Sequence, residues 1–178
     1  VAFIAGGINR DINDTNVKAK MKSLASHGQI MPLVVVDGEN VVEAGLSLKD
    51  PVSGLPVDNE KAEEYLVIIE GQHRYRAILA LREQDEKDKK KWDGDMQRWQ
   101  KGGSKLEDKP EEYTPKAPSR TMVMYPLNET EKIQIMISEM NNTSVKWAKG
   151  DFARQAFAMY PDNKVLKFIV EYMNMQHQ

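Results

Sequence analysis

The chain reads as an α+β domain, a small mixed sheet flanked by helices, with a helical segment at its C-terminal end. Three stretches predict it. Leu33-Val34-Val35-Val36 and Tyr65-Leu66-Val67-Ile68-Ile69 are short apolar runs of strand length, while Asn16–Ser26 carries the period of a surface helix. A chain of 178 residues is long enough for one well-buried core, so one main domain with attachments is expected. The boundaries are set at 1–127 for that domain, including a charged insertion at about 83–118, and 128–178 for a helical extension.

From Asn16 to Ser26, Val17, Met21, Leu24 and Ala25 fall on one helical face. Asp14, Thr15 or Asn16 can cap its start, and Gly28 is suited to end it. Pro32 forbids continuation, and Leu33–Val36 reads as a strand. The turn pair Asp37-Gly38 then leads back through Val41-Val42, which predicts a hairpin or bulged strand pair. Residues 43–62 carry Gly45, Pro51, Gly54 and Pro56 without a sustained period and read as an exposed excursion. Tyr65–Ile69 is apolar without alternation, the mark of a central strand covered on both faces. Directly after Glu70 and Gly71 the period changes to that of a helix through Tyr75, Ile78, Leu79 and Arg82, so strand becomes helix within about two residues.

Residues 83–118 begin with dense alternating charges that continue the helix as a solvated extension, with Trp92, Met96 and Trp99 as a packing stripe. Gly102-Gly103-Ser104 and the prolines at 110, 115 and 118 then read as a flexible linker. Thr121–Tyr125 reads as another strand. Asn128 and Glu131 resemble a capping pair for a helix through Ile133, Ile137 and Met140. Asp151 can cap a helix through Phe152, Gln155, Ala156 and Met159, and Leu166, Ile169, Val170 and Met173 mark a last one.

Composition narrows the function classes. The apolar share of 40%, the charged share of 29% and the net charge of -2 are those of a globular protein, and give no sign of a surface dedicated to nucleic acid. A local basic patch is still compatible with them. Zero Cys excludes disulfides, a Cys nucleophile and thiolate metal sites. His27, His73 and His177 are far apart, so no zinc site is expected and no metal ligands are assigned. No apolar run approaches the roughly 20 residues of a membrane span, and the opening Val-Ala-Phe-Ile-Ala lacks a basic signal segment. A cytoplasmic location without membrane partners is expected, in a chain that begins without an initiator Met and reads as part of a longer one.

The chemistry concentrates where the buried strand turns into a helix. His73, Arg74 and Arg76 fall on the first turn after Gly71. That is the electropositive end of a helix, where each cation costs a few tenths to about 1 kcal/mol unless an anion offsets it. A phosphate does so economically: glycine admits close backbone approach while free amides and the side chains of His73 and Arg74 converge on its oxygens. The competing explanation is that Glu70 and other carboxylates neutralise these cations in a structural ion-pair network.

Glu70-Gly71-Gln72-His73-Arg74-Tyr75-Arg76-Ala77 resembles the Gly-Glu-Arg-Arg-x-Arg-Ala box of ParB N-terminal domains, the Gly-Cys-His-Arg-Tyr box of sulfiredoxins, and the Asp-Gly-Gln-His-Arg box of mobile-element relatives. Upstream, Ile8–Ile12, the helix ending at Ser26-His27-Gly28 and Ile30-Met31-Pro32-Leu33-Val34-Val35 are similar to the ParB order of helix, His-Gly and apolar-x-Pro-apolar strand. The likeness covers roughly residues 8–42 and 64–82, with a looser third piece at Glu139–Thr143, and the stretch from Asn141 to Trp147 followed by Asp151-Phe152 resembles phage-borne members of the group.

The resemblance implies a ParB/sulfiredoxin-like fold that binds CTP or ATP with Mg²⁺, as a nucleotide-dependent switch or slow triphosphatase acting with DNA in a phage or mobile-element setting. Gly71, Gln72, His73 and Arg74 would hold phosphates, with Arg10, Arg76, Glu139 and Asn141 around the nucleotide. Glu139 and Asn141 stand apart by Met140 where the family has adjacent Glu and Asn. Gln72 occupies the place of the sulfiredoxin cysteine, so sulfinic-acid reduction is excluded by chemistry. Glu70 is the candidate base for hydrolysis, or for a phosphotransferase branch, and equally an ion-pair partner. Two other classes stay open: a DNA-binding or nuclease-like module, for which Asp11, Asp14, Glu70 and Glu139 form no sharp metal constellation, and an interaction protein that keeps the fold without a ligand. Homodimerisation is left open as well.

Overall fold

The computed structural model describes residues 1–5, 12–102, 105–126, 133, 135–136 and 162–175. The chain divides into two compact units, Val1–Met140 and Asn141–Gln178.

The first unit is built on a five-stranded mixed sheet. In chain order its strands are β1 (Ala2–Ile4), β2 (Leu33–Asp37), β3 (Leu48–Lys49), β4 (Leu66–Glu70) and β5 (Val123–Met124). They lie in the order β3-β1-β4-β2-β5. β1 runs parallel to β4 and antiparallel to β3; β2 runs antiparallel to β4 and parallel to β5. β4 is therefore central, as its unbroken apolar run predicts. Alternation along it feeds two layers: Val67 and Ile69 join Ala2, Ile4, Val34 and Val36 on one face, while Ile68 joins Phe3, Leu33 and Val35 on the other.

Helix α1 (Asp14–His27) packs its Val17, Met21 and Leu24 stripe on Ala77, Ile78 and Leu81 of α3 (Gln72–Lys101). Its cap is Asn13, not Asp14, Thr15 or Asn16: the Asn13 side chain accepts from the Asn16 amide at 3.1 Å. The expected stop holds, since Gly28 takes φ 70° and donates its amide to the Leu24 carbonyl. Ala25 is exposed and lies outside the packed stripe.

Three expectations are corrected. The Asp37-Gly38 pair does not turn a hairpin; Gly38 opens a short helix α2 (Gly38–Glu43). A side chain at Gly38 would stand 2.4 Å from the Ala62 carbonyl oxygen, so its glycine serves close approach to the 3-10 turn Asn59–Glu64 and not a hairpin turn. The excursion over 43–62 supplies β3 and that turn, and buries Leu46, Leu48 and Ala62. β1 is a further strand, buried along its three residues.

The third correction concerns 83–118. α3 does extend to Lys101, 30 residues in all. The segment 105–118 beyond it, however, is not a free linker but runs back as a strap along the helix. Trp92 Nε1 donates to the Glu111 carbonyl at 2.6 Å, and Trp99 Nε1 to that of Lys105 at 2.9 Å. The Tyr113 hydroxyl donates to the Asp85 carbonyl, and the Asp85 carboxylate accepts from the amides of Lys116 and Ala117. Burial acts to raise the Asp85 carboxyl, but these donated bonds outweigh it and hold the group below its ordinary value. Lys89 Nζ sits 5.0 Å over the Trp92 ring.

β5 is shorter than the strand read over Thr121–Tyr125. Of the helix read after it, residues 133, 135 and 136 are described and helical, with Ile133 buried in the core; Asn128 and Glu131 lie outside the described residues. The helix read over residues 151–159 also lies outside them. In the second unit α4 (Lys164–Met175) forms where the final apolar period places it, with Asn163 Oδ1 accepting from the Val165 amide at its start. Among the described residues no helix is long and apolar enough to cross a membrane.

Candidate functional site

The site begins with the link between β4 and α3. Gly71 takes φ 99° and ψ 19°, a left-handed conformation that disfavours any side chain. An added Cβ would also stand 2.8 Å from Leu33 Cδ2 and 3.0 Å from an Arg74 guanidinium nitrogen. Glycine is thus required twice, by the backbone angle and by the approach of β2. It lets the central strand feed a helix with no intervening loop.

α3 starts without a side-chain cap and without an acid in its first turn. Its first internal bond is Tyr75 N–H to the Gly71 carbonyl at 2.9 Å, so the amides of Gln72, His73 and Arg74 have no carbonyl of the helix to donate to. The basic residues gathered around this end are each tied to a backbone atom of another segment. Arg74 donates to the Pro32 carbonyl at 2.7 Å, and the same guanidinium stands 3.6 Å from the Glu70 carboxylate. Arg76 donates to the Pro51 carbonyl at 2.9 Å. His73 accepts, through Nε2, the amide of Asn13 at 3.0 Å. An imidazole that accepts at Nε2 carries its proton on Nδ1, which leaves that edge as a donor.

Two of these ties reach segments that are themselves hydrogen-bonded, the turn at Asp50 and the cap of α1. The Pro51 carbonyl belongs to a turn organised by Asp50, whose carboxylate accepts from Ser53 and Val52. The Ser53 amide and hydroxyl, then the Val52 amide, hold the Asp50 carboxyl below its ordinary value, with Arg76 adding to the effect. Asn13 both caps α1 and contacts His73, so one residue couples the starts of α1 and α3. Tyr75, edge-on to Phe3 at 6.1 Å between ring centres, lies between helix and sheet, where burial pushes its phenol up.

Gln72 is the one buried polar side chain among the described residues, at 7% exposure, and its Nε2 has no hydrogen-bond partner. An orphaned buried donor costs about 1–3 kcal/mol.

The structure therefore brings Glu70, Gly71, Gln72, His73, Arg74 and Arg76 to one place. Arg10, Glu139 and Asn141, and the acid Asp11, lie outside the described residues. Among the described residues no group of three or more His, Cys, Asp or Glu could hold a metal ion. Sequence reasoning passed over Asn13, Pro32 and Pro51 as partners, which secure His73, Arg74 and Arg76. Only Asn13 carried a signal, as an Asn three residues before the Asn16 amide that it caps. Comparison of the chain with protein-family models, curated proteins and solved structures finds no match.

Proposed function

We propose that this chain binds the phosphate tail of a nucleotide, CTP or ATP with magnesium, at the start of α3, and that occupancy acts as a switch in a DNA-associated process. One observation carries the reading. A long helix leaves the central strand through a left-handed glycine, uncapped and without an acid in its first turn, with His73, Arg74 and Arg76 gathered there. A bound oxyanion would supply the missing negative end. The backbone amides and the Nδ1 edge of His73 are its donors, with the Arg74 guanidinium contributing charge while it holds Pro32. The likeness of Glu70–Ala77 to the ParB box supplies the nucleotide as the phosphate carrier. With no acidic cluster to receive it among the described residues, magnesium would be carried chiefly by the phosphates themselves. Slow hydrolysis would fall to Glu70 as base.

A second reading has its own observation: Glu70 faces Arg74, and the side chains of His73, Arg74 and Arg76 already have protein partners. On that reading the turn is a structural joint and the chain an interaction protein that keeps the fold.

Calorimetric titration with CTP, ATP and GTP, each with magnesium, separates the two. Binding of one nucleotide, displaced by inorganic triphosphate and weakened roughly 10–100-fold in His73→Ala, is expected from loss of one charge-assisted hydrogen bond. A wild-type chain that is folded by circular dichroism and binds none of the nucleotides, nor triphosphate, overturns the proposal.

A further inference from the structure

The packed seam between α1 and α3 ends in a polar bond. Val17, Met21 and Leu24 of α1 meet Ala77, Ile78 and Leu81 of α3, and one helical turn before Val17 and Ala77 stand Asn13 and His73. The Asn13 amide donates to His73 Nε2 at 3.0 Å, across 60 positions of the chain. Asn13 is fixed to its own helix by two further bonds: its side chain accepts from the Asn16 amide at 3.1 Å and its carbonyl from the Val17 amide at 3.0 Å. His73 lies in the first turn of α3, where the amides of Gln72, His73 and Arg74 have no carbonyl of the helix to meet. One imidazole thus touches the starts of both helices.

Only a neutral ring can make this bond. An imidazole that accepts at Nε2 holds its single proton on Nδ1; a second proton lands on Nε2 and makes that nitrogen a donor, which then faces the Asn13 N–H donor to donor. The charged groups around the bond are Asp14, next to Asn13 in the first turn of α1, Arg74 and Arg76 on α3, Glu70 at the end of β4, and Asp50, whose turn Arg76 reaches. Arg10 and Asp11 lie outside the described residues. Carboxylate and guanidinium groups ordinarily keep their charge between about pH 5 and 8, whereas an imidazole changes its own there. His27 stands in the last turn of α1, at the end far from Asn13.

We infer that His73 is a proton-operated latch between the starts of α1 and α3. Neutral, it holds the first turn of α1 on α3. Taking a proton from solvent on Nε2, it lets that turn go, while the apolar seam from Val17 onward keeps the helices together. The release readies the candidate site, because the charged ring offers an N–H on each edge and a full positive charge. An oxyanion at the start of α3 favours the imidazolium in turn, so binding and release of Asn13 go together. This ligand-driven half rests on the phosphate reading proposed above, and the proton-driven half does not. The latch names the element that occupancy moves, the first turn of α1.

NMR of the ligand-free chain from about pH 8 to about pH 5 tests the latch. At the alkaline end a scalar coupling across the N–H···N bond and a protected Asn13 amide are expected. As the His73 ring charges, the coupling should vanish and the exchange-protection factor of Asn13 fall roughly 10-fold or more, with Met21 and Leu24 unchanged. In His73→Gln, whose side-chain carbonyl accepts without titrating, Asn13 should stay protected throughout. A ring that charges while Asn13 keeps its protection overturns the inference. So does a pH-dependent opening that persists in His73→Gln, since another group would then be the sensor. Sulfate, whose charge is constant over this range, probes the link to the site: it should bind roughly 5–10-fold tighter at the acid end and strip protection from Asn13 at neutral pH. Sulfate that binds equally at both ends, with Asn13 still protected, overturns the ligand-driven half. Failure of both sulfate and inorganic triphosphate to bind sinks the phosphate reading instead, and the pH series then decides the latch alone.

Discussion

Replacing Gly71 with alanine tests the geometry on which the candidate site rests. Two costs add. A non-glycine residue forced into the left-handed region loses about 1–2 kcal/mol, and here the new methyl also meets Leu33 Cδ2 at 2.8 Å and the Arg74 guanidinium at 3.0 Å. Leu33 is 1% exposed, so it yields only by disturbing its neighbours Phe3, Val35 and Ile68, an overpacking cost of about 1–3 kcal/mol. Gly71→Ala should therefore lose about 2–5 kcal/mol. Gly45→Ala is the matched control: φ is 79°, but nothing lies within 4 Å of the added carbon, so only the conformational part, about 1–2 kcal/mol, applies. Urea unfolding followed by circular dichroism gives both values under one set of conditions. If the two variants lose the same free energy, the close approach of β2 to the start of α3 is not real.

Arg74→Ala should cost about 1.5–3 kcal/mol, because a largely buried guanidinium is removed from the Pro32 carbonyl; urea midpoints measure it, and a loss under 0.5 kcal/mol would mean that the contact contributes little. Asp85→Ala should release the strap at a cost of about 1–2 kcal/mol at neutral pH, discounted for partial exposure. The Asp85 carboxyl lies below its ordinary value when folded, so its contribution is whole above about pH 4 and fades as acid protonates it. The stability gap between wild type and Asp85→Ala, measured by urea unfolding from neutrality to roughly pH 3, should accordingly narrow below about pH 4, and a gap that widens there contradicts the assignment.

Legibility followed the range of the forces involved. α1 and the β4–α3 link could be read because their signals are local: a 3.6-residue stripe at Val17, Met21 and Leu24, a glycine stop, and an apolar run that changes period at Gly71. β1 and β3 could not, since three and two residues carry no period and acquire their strand character from pairing with Val67, Ile68 and each other. Asp37-Gly38 misled because glycine serves two ends, a turn with positive φ or close contact, and only the Ala62 carbonyl decides between them. The strap held nothing periodic to read; bonds donated by Trp92 and Trp99 and those accepted by Asp85 fix it. At the candidate site the cluster of cations was visible in the motif. Their partners were not, being main-chain atoms of Asn13, Pro32 and Pro51 that lie 60, 42 and 25 positions away.

The position of β1 also shapes how the molecule is made. β1 precedes in the chain both of the strands that flank it, β3 and β4, so during synthesis Ala2 waits for Val67. Until then three buried side chains remain in water, and the loop to be closed spans more than a third of the chain. Such long-range closure is paid in chain entropy before any contact rewards it, which places the slow step of folding at the insertion of this strand. A sheet zipped in this order is completed late, and without β1 the two-residue β3 would stand apart from the β4-β2-β5 ladder.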